Sequence, residues 1–232
     1  DLAADRFLRE RLGSLFPEAA MLTEESEDHL SRLDRSWVWV VDPVDGTRSL
    51  VEGRKGVAVS VALVHDGLPL LGVLGNPVTG ESFVAVHGSG AQEVGVGTIG
   101  VRPLKALPER PLIVVSASES RRGVWKPMEE VAELRIVGST AYKTAEVARG
   151  EADAYVTPGP RSEWDIAAAQ LIAVEAGAAV TDLEGRQIRY NKRRPEVRGL
   201  VVAPSAVHAE LRALVLERLG GALKESWWGS AC

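Results

Sequence analysis

The chain has 232 residues, 45% of them hydrophobic and 25% charged, which is ordinary globular composition for one large domain or two smaller ones. A formal net charge of −5 carries no footprint of a nucleic-acid or anionic-membrane binder, and the apolar runs are far too short to span a bilayer. The one cysteine, Cys232, excludes an intrachain disulfide and fits a reducing compartment, and four scattered histidines argue against a histidine-built zinc site.

The chain opens at Asp1 already inside a helical pattern, as expected of a lobe whose upstream residues are missing. Leu8, Leu12 and Leu15 at helical spacing predict an amphipathic helix over 1–15, stopped by Phe16-Pro17. The run 37–41 reads as a buried strand that Pro43 should end. Strands over 57–65, 68–74 and 81–87, joined by Asp66-Gly67 and the turn 76–80, predict an antiparallel sheet. The glycine-rich 88–97 has no helix pattern after it and reads as a hairpin loop, not a phosphate cradle. A proline-rich stretch at 104–111 marks a change of lobe, dividing an N-terminal α+β lobe (1–107) from a C-terminal α/β lobe (108–232). There the pattern alternates: strand 112–116, helix 124–133, strand 134–137, helix 139–149, strand 153–157, helix 164–176, strands 178–182 and 199–203, and helix 205–219. Such alternation argues for an α/β layered unit. The pair Trp227-Trp228 is expected to pack as part of a terminal tail.

Three acidic clusters stand out, each at the end of an apolar element. In "DPVDGT" (42–47), Pro43 fixes φ, Gly46 permits a sharp turn and Thr47 can start a helix, so alone it reads as a strand-to-helix turn. Glu24 and Glu25 alone read as a solvated loop, and Asp165 alone as a helix-start carboxylate. Together the three suit a hard cation. Mg²⁺ takes oxygen ligands in octahedral geometry, and carboxylates on separate rigid elements supply them.

"DPVDGT" followed by "EWDIAA" (163–168), with "EES" (24–26) upstream, resembles the signature set of the inositol monophosphatase superfamily of Mg²⁺-dependent, lithium-sensitive phosphomonoesterases. Asp1 falls where that family has an aspartate, and the resemblance runs along essentially the whole chain. It implies an αβαβα layered sandwich with two or three Mg²⁺ ions in a cleft between two lobes. It also implies metal binding by the side chains of Glu24, Asp42, Asp45 and Asp165 and by the carbonyl of Val44, with Glu25 just behind. Gly46 and Thr47 would present backbone N–H groups to phosphate. Thr47 would orient the attacking water, with Asp1 accepting from its hydroxyl and Glu24 sharing the catalytic work.

The second half resembles the 3′(2′),5′-bisphosphate nucleotidase (CysQ-like) branch: Gly138, Ser139, Lys143, Val147-Ala148, Gly150, Ala152-Asp153, Tyr155, then Glu163-Trp164-Asp165, and "RYNKR" (189–193). Inositol-specific members carry a glutamate six residues before the motif tryptophan, where this chain has Pro158. The branch implies removal of the 3′-phosphate of adenosine 3′,5′-bisphosphate to give AMP, with Gly138, Ser139, Lys143 and Glu163 as substrate contacts. Arg161, Arg121, Arg122, Ser116 and Ser118 are further cationic or hydroxyl candidates. Two departures are Glu119, where the branch usually has histidine, and Ala169, where the family often has glycine. The same-class alternative is an inositol monophosphatase, including fructose-1,6-bisphosphatase activity. The rival from another class is a non-enzymatic protein using the acids for regulatory cation binding; Thr47 and Asp1 at matching positions argue against it. The resemblance further implies a cytoplasmic enzyme, often a homodimer, acting on a small phosphorylated substrate without nucleic-acid polymer or membrane.

Overall fold

A computed structural model describes residues 1–226, so Trp227, Trp228 and Cys232 lie outside the described residues. In chain order, α1 (Leu2–Leu15) leads into a short strand β1 (Ala20–Thr23), a 3-10 turn (Leu30–Asp34), β2 (Trp37–Asp45) and a short helix α2 (Thr47–Val51). An antiparallel run follows: β3 (Ala58–His65), β4 (Leu68–Gly75), β5 (Ser82–Val86), β6 (Ala91–Glu93) and β7 (Gly97–Thr98). These seven strands form one sheet in sequence order, parallel only between β1 and β2. The second half contributes β8 (Leu112–Val115), α3 (Ala117–Arg121), a 3-10 turn (Lys126–Met128), β9 (Glu133–Ile136), α4 (Thr140–Ala148), β10 (Ala154–Ser162), α5 (Glu163–Glu175), β11 (Ala178–Thr181), β12 (Glu196–Pro204) and α6 (His208–Ser226). Its mixed sheet has the order β11-β12-β10-β8-β9.

Alternation of side chains along the strands sets the layers. Val38, Val40, Ala62, Val64 and Phe83 of the first sheet share one continuous core with Val114, Tyr155 and Val202 of the second, through α4 and α5 between them. α5 is apolar on every side because a sheet lies on each side of it. Its run Ala167-Ala168-Ala169 is fully buried, and a side chain at Gly72 of β4 would meet the Ala168 carbonyl at 2.7 Å. Ala169, the departure from the family's glycine, is thus a core position. The other face of the second sheet (Ile113, Val115, Val156, Val201) packs on Trp125, Met128 and the Val207, Leu211, Val215 and Leu219 ridge leading into and along α6. The result is the αβαβα sandwich. Among the described residues no helix is long and apolar enough to cross a membrane.

Among the elements that differ from the sequence reading, four stand out. Pro43 does not end β2: pairing with β3 continues to Asp45 after a register slip between Asp42 and Asp45, a place where proline's missing N–H costs no ladder bond. β10 likewise runs through Pro158 and Pro160 to Ser162, slipping between Thr157 and Pro160. The helix expected at 124–133 is absent. α3 ends before Gly123 at φ +74°, and a single 3-10 turn then suffices, because Trp125 and Met128 three residues apart both face the core. The glycine-rich 88–97 contains the short strand β6 and the first residue of the edge strand β7.

Candidate metal and phosphate site

The slip at the end of β2 shapes the acidic motif. Asp42 is 1% exposed, and its Oδ1 accepts from the Val44 N–H at 2.9 Å, closing the turn over Pro43. Gly46 follows at φ +93°, where a Cβ would sit 2.6 Å from the Gly56 carbonyl oxygen. Gly56 and Gly138 are equally intolerant: a Cβ on either would overlap the neighbouring backbone, so the start of α2, the start of β3 and the loop before α4 interlock at three glycines.

Thr47 is exposed at the first position of α2, and its hydroxyl stands 3.1 Å from Asp1 Oδ2 and 3.2 Å from the Val44 carbonyl, either of which can accept its proton. Asp45 crosses between the two sheets' territories. Its Oδ2 accepts from Ser139 Oγ at 2.6 Å and from the Ala141 N–H at 2.7 Å, so a carboxylate from β2 caps α4. Ser139 Oγ also accepts from the Tyr142 N–H, with Ser139 itself held at φ +47°, a conformation costing a non-glycine residue about 1–3 kcal/mol. Asp165, in the first turn of α5, accepts from the Ser162 N–H at 3.3 Å in a capping box, and Ser60 of β3 donates to the Trp164 carbonyl at 3.0 Å. These contacts fix α5 against the end of the first sheet.

The four acids feel one another. Burial, then repulsion by Asp45, Glu24 and Asp165, pushes Asp42 up to about 10. Burial and the Asp45 charge push Asp165 up to about 8, against the pull of Arg161. Glu24 is more exposed, yet desolvation raises it, with Asp45 and Glu25 adding repulsion and a hydrogen bond with Asp42 working the other way. Glu25 is half-buried, its N–H 3.3 Å from Thr23 Oγ1. Among the described residues no three histidine, cysteine or acidic side chains already surround one point as ligands. What fits a hard cation is the chemistry of the donor set: clustered carboxyls plus the Val44 carbonyl, all oxygen, whose burial and mutual repulsion hold protons that a divalent ion would replace.

Beside the acids lies an open cavity of about 360 Å³, reached by Asp45, Gly46 and Asp165 on one hand and by Arg48, Arg54, Arg121, Lys143 and Arg161 on the other, with Ser116, Ser118 and Gly138–Ser139 between. Lys143 is at its floor: fully buried, with Nζ 3.4 Å from the Val137 carbonyl and 4.9 Å from the centre of the Tyr155 ring, its pKa lowered by burial to about 8. Glu163 is a correction. Expected as a substrate contact, it is wholly buried, and its carboxylate accepts from the Asn191 N–H at 2.7 Å and the Lys192 N–H at 3.2 Å, which clamps the 189–193 segment. Arg32, also buried, grips the same segment through Asn191 Oδ1 at 2.7 Å and the Lys192 carbonyl at 2.9 Å. Arg48 and Arg54 escaped the sequence reading. Arg48 directly follows the motif threonine, and that adjacency was the available signal.

This fold and this acid-lined, cation-walled cleft define a class: a metal-dependent phosphatase of the inositol monophosphatase type. The sequence profile of the inositol monophosphatase family matches residues 1–220, and the chain belongs to that family. It is 32% identical over 200 residues to the 3′(2′),5′-bisphosphate nucleotidase CysQ of Aggregatibacter actinomycetemcomitans, covering 83% of this chain and 74% of that protein. It is 34% identical over 192 residues to the Nus factor SuhB of Vibrio cholerae serotype O1, covering 80% and 71%. Among solved structures, the Thermotoga maritima IMPase superposes with a TM-score of 0.82 at 29% identity, covering 96% of this chain and 84% of that one.

Proposed function

We propose that the protein hydrolyses the 3′-phosphate of adenosine 3′,5′-bisphosphate to give AMP, with Mg²⁺ as the metal. The observation that carries this reading is the cavity: five cationic side chains adjoin the acidic cluster, more than one monophosphate needs and a good match for a substrate with a second one. The resemblance to CysQ nucleotidases and the presence of Pro158 where inositol-specific members carry glutamate support it.

Glu24, Asp42, Asp45, Asp165 and the Val44 carbonyl would hold the ions, which supply Lewis acidity toward the phosphate and lower the pKa of the attacking water. Thr47 Oγ accepts from that water while donating to Asp1 or the Val44 carbonyl, which aims a lone pair at phosphorus. Gly46 and Thr47 offer backbone N–H groups to the phosphate at the start of α2. The interlocked glycines keep these donors from shifting.

The test is phosphate release from adenosine 3′,5′-bisphosphate, inositol 1-phosphate and fructose 1,6-bisphosphate, side by side, with Mg²⁺ and with EDTA. The expected result is a kcat/KM at least about tenfold higher for the bisphosphonucleotide and no turnover in EDTA. The likeness to the Thermotoga maritima IMPase favours inositol phosphate as the second reading. Equal or reversed preference would replace the first reading with it.

A further inference from the structure

One cation of the cavity is held unlike the rest. Arg48, Arg54 and Arg121 are exposed, and Arg54 is paired with Glu52. The Arg161 side chain is 18% exposed and leans on a carboxylate that is not exposed at all, Glu119 of α3, through Nη2 to Oε1 at 2.9 Å. Glu119 is itself immobilised. Trp125 Nε1 donates to its Oε2 at 3.2 Å, and the Thr157 hydroxyl donates to its Oε1. Arg161 Nη1 donates to the Pro160 carbonyl at 2.8 Å, while its buried Nε has no acceptor among the described residues, so the five N–H donors of the guanidinium outnumber the acceptors those residues give it. Arg161 lines the cavity and is close enough to Asp165 to stabilise its charge; Glu119 stands behind it, out of the cavity.

A buried ion pair is a weak source of stability, because desolvation offsets most of the attraction. Its use here lies in placing a rigid, planar donor where a ligand can reach it. Position 119 is also where the sequence departs from the branch it resembles. We infer, resting on the bisphosphonucleotide reading above, that Arg161 is the specificity-determining contact for the substrate's second phosphate and that Glu119 is its positioning residue. Lys143 is the weaker candidate, since its ammonium faces backbone carbonyls beneath the loop.

The experiment compares kcat/KM for adenosine 3′,5′-bisphosphate with that for adenosine 3′-monophosphate, which has the same reacting phosphate and no second anion. In Arg161→Gln the ratio of the two should fall about 10- to 100-fold, the worth of a hydrogen-bonded charge, chiefly through KM. Arg161→Lys should recover only part of it, having charge without the fork. Glu119→Gln should lower the ratio in the wild-type background and do nothing further beside Arg161→Gln, a coupling that a merely structural staple would not show. Arg161→Met serves as the second removal should the glutamine variant not fold. A ratio kept within about twofold of wild type after removal of Arg161 overturns the assignment. A wild-type protein with no preference for the bisphosphate overturns the substrate reading beneath it, which separates the two failures.

Discussion

With no cation among its acids, the folded protein should lose stability as pH rises through neutrality, and the size of the loss follows from two carboxyls. Asp42 goes from an ordinary 3.8 to about 10 on folding, and Asp165 from 3.8 to about 8, through burial first and neighbouring acids second. A raised carboxyl pKa means the folded state keeps a proton that the unfolded chain has released. The contribution of these two carboxyls is therefore full below about pH 4 and declines until the folded pKa is passed. Each retained proton costs about 1.4 kcal/mol per pH unit. Buried His208, its pKa lowered from 6.5 by burial, works the opposite way at lower pH, and buried Lys143, lowered to about 8, works the opposite way from about pH 8 upward, so the two carboxyls dominate between pH 6.5 and 8. From pH 6.5 to 8, Asp42 alone accounts for about 2 kcal/mol and Asp165 for up to about as much again. For a chain of this size, about 2 kcal/mol is about 4–8 °C in Tm. The assay is urea and thermal unfolding by tryptophan fluorescence in EDTA at three pH values, repeated with excess Mg²⁺, which displaces the protons and flattens the slope. Asp42→Asn should flatten the slope in EDTA while lowering turnover about 100-fold or more. Metal-free stability that is level or rises from pH 6.5 to 8 would refute the picture of mutually repelling, buried acids.

Thr47→Ala should lower kcat about 100-fold or more with little change in KM or Tm, since Thr47 is exposed and its hydroxyl bonds only the Asp1 carboxylate and the Val44 carbonyl; near-wild-type kcat in steady-state phosphate release would remove it from the chemistry. Arg32→Ala should cost about 2–3 kcal/mol in urea unfolding, because it removes a buried guanidinium's hydrogen bonds to Asn191 and Lys192 and frees the 189–193 segment; a loss under about 1 kcal/mol would mean that segment holds without it. Tyr142→Phe should cost about 1–2 kcal/mol, read the same way, by removing the 2.8 Å bond from its hydroxyl to Glu81 that ties α4 to the turn before β5, with phosphate release unaffected.

The parts of the fold visible in the sequence were those with strong periodicity. The antiparallel run through β3, β4 and β5 shows alternation with marked turns, and α5 is a long apolar run with an acid at its start. β1 escaped because four residues, Ala20 to Thr23, are too few to show a period. The extensions of β2 and β10 escaped because each crosses a proline at a register slip, where the local rule against proline in a strand is relaxed by missing ladder bonds. Asp42, Asp45 and Asp165 could be singled out because spacing and element ends are local properties. The burial of Glu163 and the Glu119–Arg161 pair could not, because both depend on which segments fold back over them.

The interlock of Gly46, Gly56 and Gly138 has a consequence for anyone reshaping this enzyme. Three stretches of main chain from different parts of the sequence meet there, with the Ser49 side chain filling the remaining space at Gly138, so none can be shifted to admit a bulkier ligand without displacing the other two. Libraries aimed at new substrates would do well to leave those positions unmutated and to vary Arg48, Arg54 and Arg121, whose exposed side chains can be exchanged without disturbing the joint.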